Sequence, residues 1–163
     1  MKLNTFEDLF VHKLKILYSA ETEFAKAQPK LAEAASDDEL RAALEGHVKV
    51  TQGQLERLEQ IEAILGVELA GETCDAARGL IAESQKILRE DGDPLVKDAG
   101  LLAAAQGVEH YEIAGYGAAS AYARRLGYTD IERLLQQTLA EERGADTLLN
   151  ELAEASINKQ AAS

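Results

Sequence analysis

The chain has 163 residues, which is the size of one ordinary domain, and 46% of them are hydrophobic. Its formal net charge of −12 opposes attraction to phosphate backbones and anionic lipid, so we expect neither a nucleic-acid nor a membrane partner. The one cysteine, Cys74, excludes an intramolecular disulfide and any multi-cysteine metal site.

Composition and the N-terminal sequence favour a cytoplasmic helical protein. Two prolines and no tryptophan occur, and a composition with so few helix breakers favours long helices over sheets. The N-terminus turns acidic at Glu7 and Asp8 without the apolar run of a signal peptide. No apolar stretch reaches the roughly 18 residues needed to span a bilayer.

Two long helices are predicted in the first part of the chain, at about 5–35 and 37–65. Thr5 is placed to cap the first helix, because its hydroxyl can accept a free backbone amide of the first turn. Ser36 and Glu39 have the spacing of a capping box, which predicts the start of the second helix. Since the connection is very short, the two helices are expected to form an antiparallel hairpin.

A second pair of long helices is predicted at about 94–126 and 129–155. A proline opens the first of them, at a position where its missing amide hydrogen costs nothing. Thr129 and Glu132 have capping-box spacing and predict the start of the other helix. The short turn between them predicts another antiparallel hairpin, and residues 156–163 are expected to form a polar, frayed tail.

The segment from Gly66 to Gly92 must cross from one hairpin to the other, and it contains a short predicted helix at about 75–89. Two hairpins joined by one long crossover are the connectivity of ferritin-like four-helix bundles. We therefore predict an all-α, ferritin-like four-helix bundle that occupies residues 1–163 as a single domain.

Each long helix interrupts its apolar stripe with polar side chains, and these interruptions fall within about two helical turns of one level in the bundle. The titratable residues concerned are Glu21, His47, Glu109, Glu112, Glu142 and Asp146. Buried carboxylates that face one another must be protonated, paired or neutralised by cations. Carboxylate and imidazole ligands projecting inward from four helices are how di-iron and di-manganese bundles are built.

Some of these residues have other roles open to them. His47 could join Thr51 or Gln54 in a neutral hydrogen-bonded network without binding a metal. The two acids of the third long helix could form a salt bridge, for which Lys13 on the stripe of the first helix is the candidate. Tyr116 is interpreted either as core packing or as a hydrogen-bond partner beside the metal site.

Several segments resemble the YciF-like branch of the ferritin-like superfamily, a group of bacterial stress-associated proteins of about this length, and the likeness covers nearly the whole chain. The matching segments are Leu17-Tyr18-Ser19-Ala20-Glu21, His47 with Thr51-Gln52-Gly53-Gln54, Glu109-His110-Tyr111-Glu112-Ile113-Ala114, and Glu141-Glu142 with Asp146. The resemblance implies a homodimer with a dinuclear site for Fe or Mn. It implies Glu21, Glu109 or Glu112, Glu142 and Asp146 as carboxylate ligands, with His47 as the only imidazole in the stripes.

Two hypotheses for function follow. In the first, two Fe or Mn ions react with oxygen or peroxide and limit oxidative damage during stress. In the second, the chain is a non-catalytic dimeric structural protein whose site is degenerate and metal-free. The second is favoured by the absence of Glu-x-x-His from the second and fourth long helices, and by Lys49 and Val50, where relatives often carry acids.

Overall fold

The computed structural model describes residues 3–163 of the chain. Helices make up most of this part, and it contains no strand. The helices are α1 (Phe6–Ala34), α2 (Asp38–Leu65), α3 (Asp75–Arg89), α4 (Pro94–Leu126), α5 (Thr129–Leu152) and α6 (Asn158–Ala161), with a π-helical turn at Ala153–Ile157. None of the helices in the described part combines the length and the apolar character needed to cross a membrane.

The two predicted hairpins and the crossover are present. α1 packs against α2, and α4 packs against α5, with only a few residues in each connection. The crossover segment contains α3, which contacts α1 and α4. The predicted cap at the start of α1 is also confirmed. The Thr5 hydroxyl accepts a hydrogen bond from the backbone amide of Asp8 at 3.0 Å, and the Asp8 carboxylate accepts one from the backbone amide of Thr5 at 2.8 Å.

The start of α2 differs from the prediction of a capping box at Ser36 and Glu39. The cap is Asp37, whose carboxylate accepts two backbone amides of the first turn at 2.9 and 3.0 Å. The backbone amides of Ser36 and Asp37 each donate a hydrogen bond of 2.8 Å to the buried carboxylate of Asp98 in α4. The predicted box is wrong because a contact from a distant helix holds the connection in place.

The capping box predicted at Thr129 and Glu132 is also wrong. α5 follows Tyr128, which makes no side-chain hydrogen bond to the helix end. Glu132 instead accepts a hydrogen bond from Arg124 Nε at 2.7 Å. This ion pair joins the end of α4 to the first turn of α5, so the carboxylate that would have completed the box serves the hairpin turn.

The end of the chain is more ordered than the expected frayed tail. Residues of the π-helical turn and α6 continue the course of α5. Ile157 is only 1% exposed and packs in a cluster with Leu40 and Leu101. One apolar residue within a polar segment is thus enough to hold this end against the bundle, because its burial is worth about 2 kcal/mol.

Two apolar clusters lie toward opposite ends of the bundle, and a third packs α3 against α1 and α4. The first includes Phe10, Leu58 and Ile131, and the second includes Leu31, Leu40 and Leu149. Along each of the four long helices, the polar residues of the predicted site lie in sequence between the members of these two clusters. The site is therefore in the middle of the bundle, with packed hydrocarbon above and below it.

Candidate metal centre

Four side chains from three helices converge between the two apolar clusters. They are His47 of α2, Glu109 and Glu112 of α4 and Glu142 of α5, and ligand atoms of all four lie within 4.8 Å of one another. Glu109 and Glu112 share a direction because residues three apart lie on one face of a helix. His47 Nε2 lies 3.4 Å from Glu109 Oε1 and 3.7 Å from Glu142 Oε2.

Glu21, the predicted ligand of α1, lies beside this group and is completely buried. The hydroxyl of Tyr116, which is also completely buried, donates a hydrogen bond to Glu21 Oε1 at 2.5 Å. The other carboxylate oxygen of Glu21 accepts no hydrogen bond. Tyr116 therefore anchors one oxygen of the carboxylate and leaves the other available to a ligand.

Asp146 occupies a different position from the other predicted ligands. It follows Glu142 by one helical turn, and its side chain is 18% exposed. Its Oδ1 atom lies 3.2 Å from Nε2 of His110, whose side chain is 67% exposed, although this contact lacks hydrogen-bond geometry. The structure thus places Asp146 at the edge of the site and outside the four-residue group, while His110 faces outward.

Unpaired polar atoms are concentrated at this site. Within residues 3–163, all buried side-chain nitrogen and oxygen atoms without a hydrogen-bond partner lie at this site, except Nδ1 of His12. They are Glu21 Oε2, His47 Nε2, Gln54 Oε1, Glu109 Oε2, both oxygens of Glu112, Glu142 Oε2 and Asp146 Oδ1. A buried polar atom without a partner costs about 1–3 kcal/mol, and more when it is charged. Their collection at one place requires a common explanation.

Burial has large effects on the ionisation of these groups. Loss of hydration, together with the neighbouring Glu142, raises the pKa of Glu109 to about 11. Burial likewise raises the pKa of Glu21 to about 8, and it raises the pKa of Glu112 well above its usual range. A bound cation reverses this direction, because it stabilises the ionised carboxylates. Burial lowers the pKa of His47, so its imidazole is held in the neutral form that binds metals.

The alternative partners considered for these residues are not engaged with them. The hydroxyl of Thr51 donates to Gln28 at 2.9 Å, and the amide of Gln54 donates to Glu142, so neither completes a neutral network with His47. In the described part of the chain, no lysine or arginine nitrogen lies within 4.0 Å of the Glu109 or Glu112 carboxylate. The proposed salt bridge to Lys13 is therefore absent.

A charged network beside the site was missed in the sequence. Arg57 of α2 forms a two-pronged contact with Glu141 of α5 at 2.8 and 3.0 Å, and it also donates to the hydroxyl of Thr138. Gln54 Nε2 contacts Glu141 at 3.3 Å as well as the adjacent Glu142. The available signal was the spacing of Gln54 and Arg57, which places both on the face of α2 that meets α5.

The donor set fits a pair of divalent cations. Four buried carboxylates provide a formal charge of −4, which two divalent ions would balance, and the neutral imidazole provides a nitrogen ligand. The unpaired oxygens are the free lone pairs that coordination requires. An imidazole among the carboxylates favours a transition metal over calcium, and the absence of a second cysteine disfavours a thiolate site.

Known proteins share both the sequence and the fold. Protein YciF of Escherichia coli (strain K12) is 41% identical over 162 residues, a match that covers 99% of this chain and 98% of that protein. The crystal structure of the E. coli stress protein YciF matches with a TM-score of 0.91 and covers 96% of this chain and 99% of that one. Its fold is ferritin-like, which confirms the predicted fold class.

Two further solved structures extend the comparison. YcfI of Rhodopseudomonas palustris, described as a proposed structural protein, is 44% identical, with a TM-score of 0.89 and coverage of 91% of this chain and 95% of that one. A protein from Xanthomonas campestris pv. campestris is 21% identical with a TM-score of 0.74, covers 93% of this chain and 92% of its own, and shows the fold alone. A sequence model described as a domain of unknown function, DUF892, matches residues 5–162, and the chain belongs to this family together with YciF.

Proposed function

We propose that this chain is a stress-associated ferritin-like protein that binds two iron or manganese ions in the middle of its bundle and uses them on oxygen or peroxide. The observation that carries the proposal is the set of unpaired buried atoms on Glu21, His47, Glu109, Glu112 and Glu142. Its link to stress comes from the E. coli relative, which is described as a stress protein.

The proposed roles follow from the contacts. The cations are held by the four-residue group of His47, Glu109, Glu112 and Glu142. Glu21 of α1 completes the set of ligands. Bound iron or manganese would supply electrons to a small oxidant. The neighbouring hydrogen bonds from Tyr116 and Gln54 hold two of the carboxylates in place, and the apolar clusters keep bulk water out.

A metal-free structural role is the second candidate. It is supported by the description of the R. palustris relative and by the absence of Glu-x-x-His from α2 and α5. In this role the buried acids would hold protons, and their raised pKa values are compatible with that state. The two functions therefore differ in one measurable property, the presence of a cation among the carboxylates.

The deciding experiment compares Glu142→Gln with Glu151→Gln. Both changes remove one carboxylate from α5, but Glu142 is completely buried at the site and Glu151 is exposed. Protein purified without chelator and reconstituted anaerobically with iron(II) or manganese(II) is analysed for metal content. We expect about two metals per chain in the wild type and Glu151→Gln, and fewer in Glu142→Gln. No metal in any of the three proteins would favour the structural role, whereas equal metal contents in all three would show that Glu142 is not a ligand.

A homodimer and a cytoplasmic location remain parts of the proposal. Exposed apolar side chains at the end of the bundle where α1 begins and α2 ends support an intermolecular contact, with Phe6 42% and Ile64 56% exposed. Light scattering on purified protein tests this directly. A mass of about 35 kDa, twice the 17.6 kDa of one chain, is expected, and a mass of one chain at micromolar concentration would contradict it.

A further inference from the structure

A small cavity of about 20 Å³ lies among α1, α2 and α4, next to the candidate metal centre. Its position is specified by His47 and Glu109, which line it and also belong to the four-residue group. One water needs about 10–15 Å³, so a volume of this size has room for a single molecule somewhat larger than water. The cavity therefore adds a compartment for a small molecule in contact with two of the proposed ligands.

The walls of the cavity are of two kinds. Leu31, Leu44, Ala105 and Val108 form an apolar wall. Gln28, His47 and Glu109 form a polar wall. All seven residues are nearly buried, with exposed fractions between the 3% of Glu109 and the 10% of the His47 side chain. The surroundings thus exclude large ligands and strongly hydrated ones.

The polar wall offers defined hydrogen-bonding groups. Gln28 is held by the hydroxyl of Thr51, whose hydrogen bond to Gln28 Oε1 is 2.9 Å long. His47 Nε2 and Glu109 Oε2 are buried without a partner among the described residues. A molecule in the cavity therefore has polar atoms on one side only. Four of the seven lining residues are apolar, and the proposed function gives the free atoms of His47 and Glu109 to the cations, so the cavity suits a small neutral molecule better than a strongly hydrated one.

We propose that this cavity binds the small oxidant, a neutral molecule of two oxygen atoms, and presents it to the His47 and Glu109 side of the metal centre. Dioxygen and hydrogen peroxide both have the required size and lack of charge. An anion is disfavoured because the mostly apolar, buried cavity would strip it of its hydration. The inference rests on the proposed function, since it assigns the place where the oxidant of that same site binds.

The test fills the cavity without touching a proposed ligand. Ala105→Val adds two carbon atoms to the apolar wall, and Ala103→Val makes the same change on the exposed face of the same helix. Val108→Ala enlarges the cavity and serves as a second variant if Ala105→Val folds poorly. Xenon, a neutral probe that enters small apolar cavities, is applied to crystals of each protein under pressure and located by anomalous scattering.

Two solution measurements accompany the xenon experiment. Anaerobic calorimetry gives the affinity for iron(II), and stopped-flow spectroscopy of the iron-loaded protein gives KM and kcat with dioxygen and, separately, with hydrogen peroxide. We expect Ala105→Val to lose xenon, keep its affinity for iron(II), and raise KM by about tenfold or more with one or both oxidants. Ala103→Val should match the wild type in every measurement, and Val108→Ala should bind more xenon without a raised KM.

The outcomes separate the pocket from the proposed function. Absence of xenon from the wild type, or an unchanged KM in a filled variant that binds iron(II) normally, overturns the pocket and leaves the metal site standing. The same calorimetry repeated with manganese(II) shows directly whether the wild type fails to take up either ion. That failure overturns the proposed function, and the oxidant assignment fails with it.

Discussion

Replacing Glu112 with glutamine should have opposite effects on stability in the absence and in the presence of metal. Glu112 is completely buried, and neither of its carboxylate oxygens accepts a hydrogen bond. Burial, followed by the charges of Glu21 and Glu142, raises its pKa well above the ordinary value of 4.5. In the metal-free protein the folded state must therefore take up a proton that the unfolded chain does not hold at neutral pH.

The size of the effect follows from this proton. Between the unfolded pKa of 4.5 and pH 7, uptake of one proton costs the folded state about 3 kcal/mol. Glutamine removes this cost, but it leaves its own buried amide without partners at a cost of about 1–3 kcal/mol. We expect a net gain of about 1 kcal/mol for metal-free Glu112→Gln at pH 7, growing as the pH rises. With saturating metal the wild type instead gains about 3 kcal/mol that the variant lacks.

The assay is urea unfolding at pH 5 and pH 7, first with EDTA and then anaerobically with manganese(II). Glu151→Gln, which removes an exposed carboxylate, serves as the control and should follow the wild type in every condition. The reasoning is refuted if metal-free Glu112→Gln is less stable than the wild type at pH 7. It is also refuted if manganese(II) shifts the wild type and Glu112→Gln by the same amount.

Three further predictions concern the same core. The raised pKa values of the buried acids favour their protonated forms in the folded state. The metal-free wild type should therefore lose stability as the pH rises from about 5 to 8, by roughly 1 kcal/mol per pH unit for each coupled proton. A melting temperature that does not change with pH would contradict this. Tyr116→Phe removes the hydroxyl that anchors Glu21 and should weaken manganese(II) binding about 10-fold in calorimetry, with little change in the circular dichroism spectrum. An affinity equal to that of the wild type would show that this hydrogen bond does not position Glu21 for metal binding. Asp98→Asn should leave the backbone amide of either Ser36 or Asp37 without its acceptor and lower the free energy of unfolding by about 2 kcal/mol, with metal content as in the wild type. An unchanged midpoint in urea unfolding would contradict a stabilising role for these two hydrogen bonds.

The helical architecture was readable from the sequence because its signals are local. Apolar spacing and short connections identified the long helices and both hairpins, and Thr5 caps α1 as its spacing predicts. The caps at Ser36 and Thr129 were predicted wrongly for the opposite reason. Asp98 of α4 binds the backbone amide of Ser36, and Arg124 of α4 binds the carboxylate of Glu132. A capping pattern in the local sequence does not indicate such contacts with another helix.

The polar level of the core was also visible in the sequence, since Glu21, Glu112 and Glu142 interrupt apolar stripes at matching heights. Only the tertiary structure decided which side chains meet. Helix periodicity fixes a direction to within part of a turn, whereas metal ligands must approach within a few ångströms, and that depends on how each helix is rotated in the bundle. Packing brings His47 to 3.4 Å from Glu109 and leaves Asp146 at the edge beside His110. The sequence by itself determined that acids are buried in a helical bundle, and packing determined which of them can share a cation.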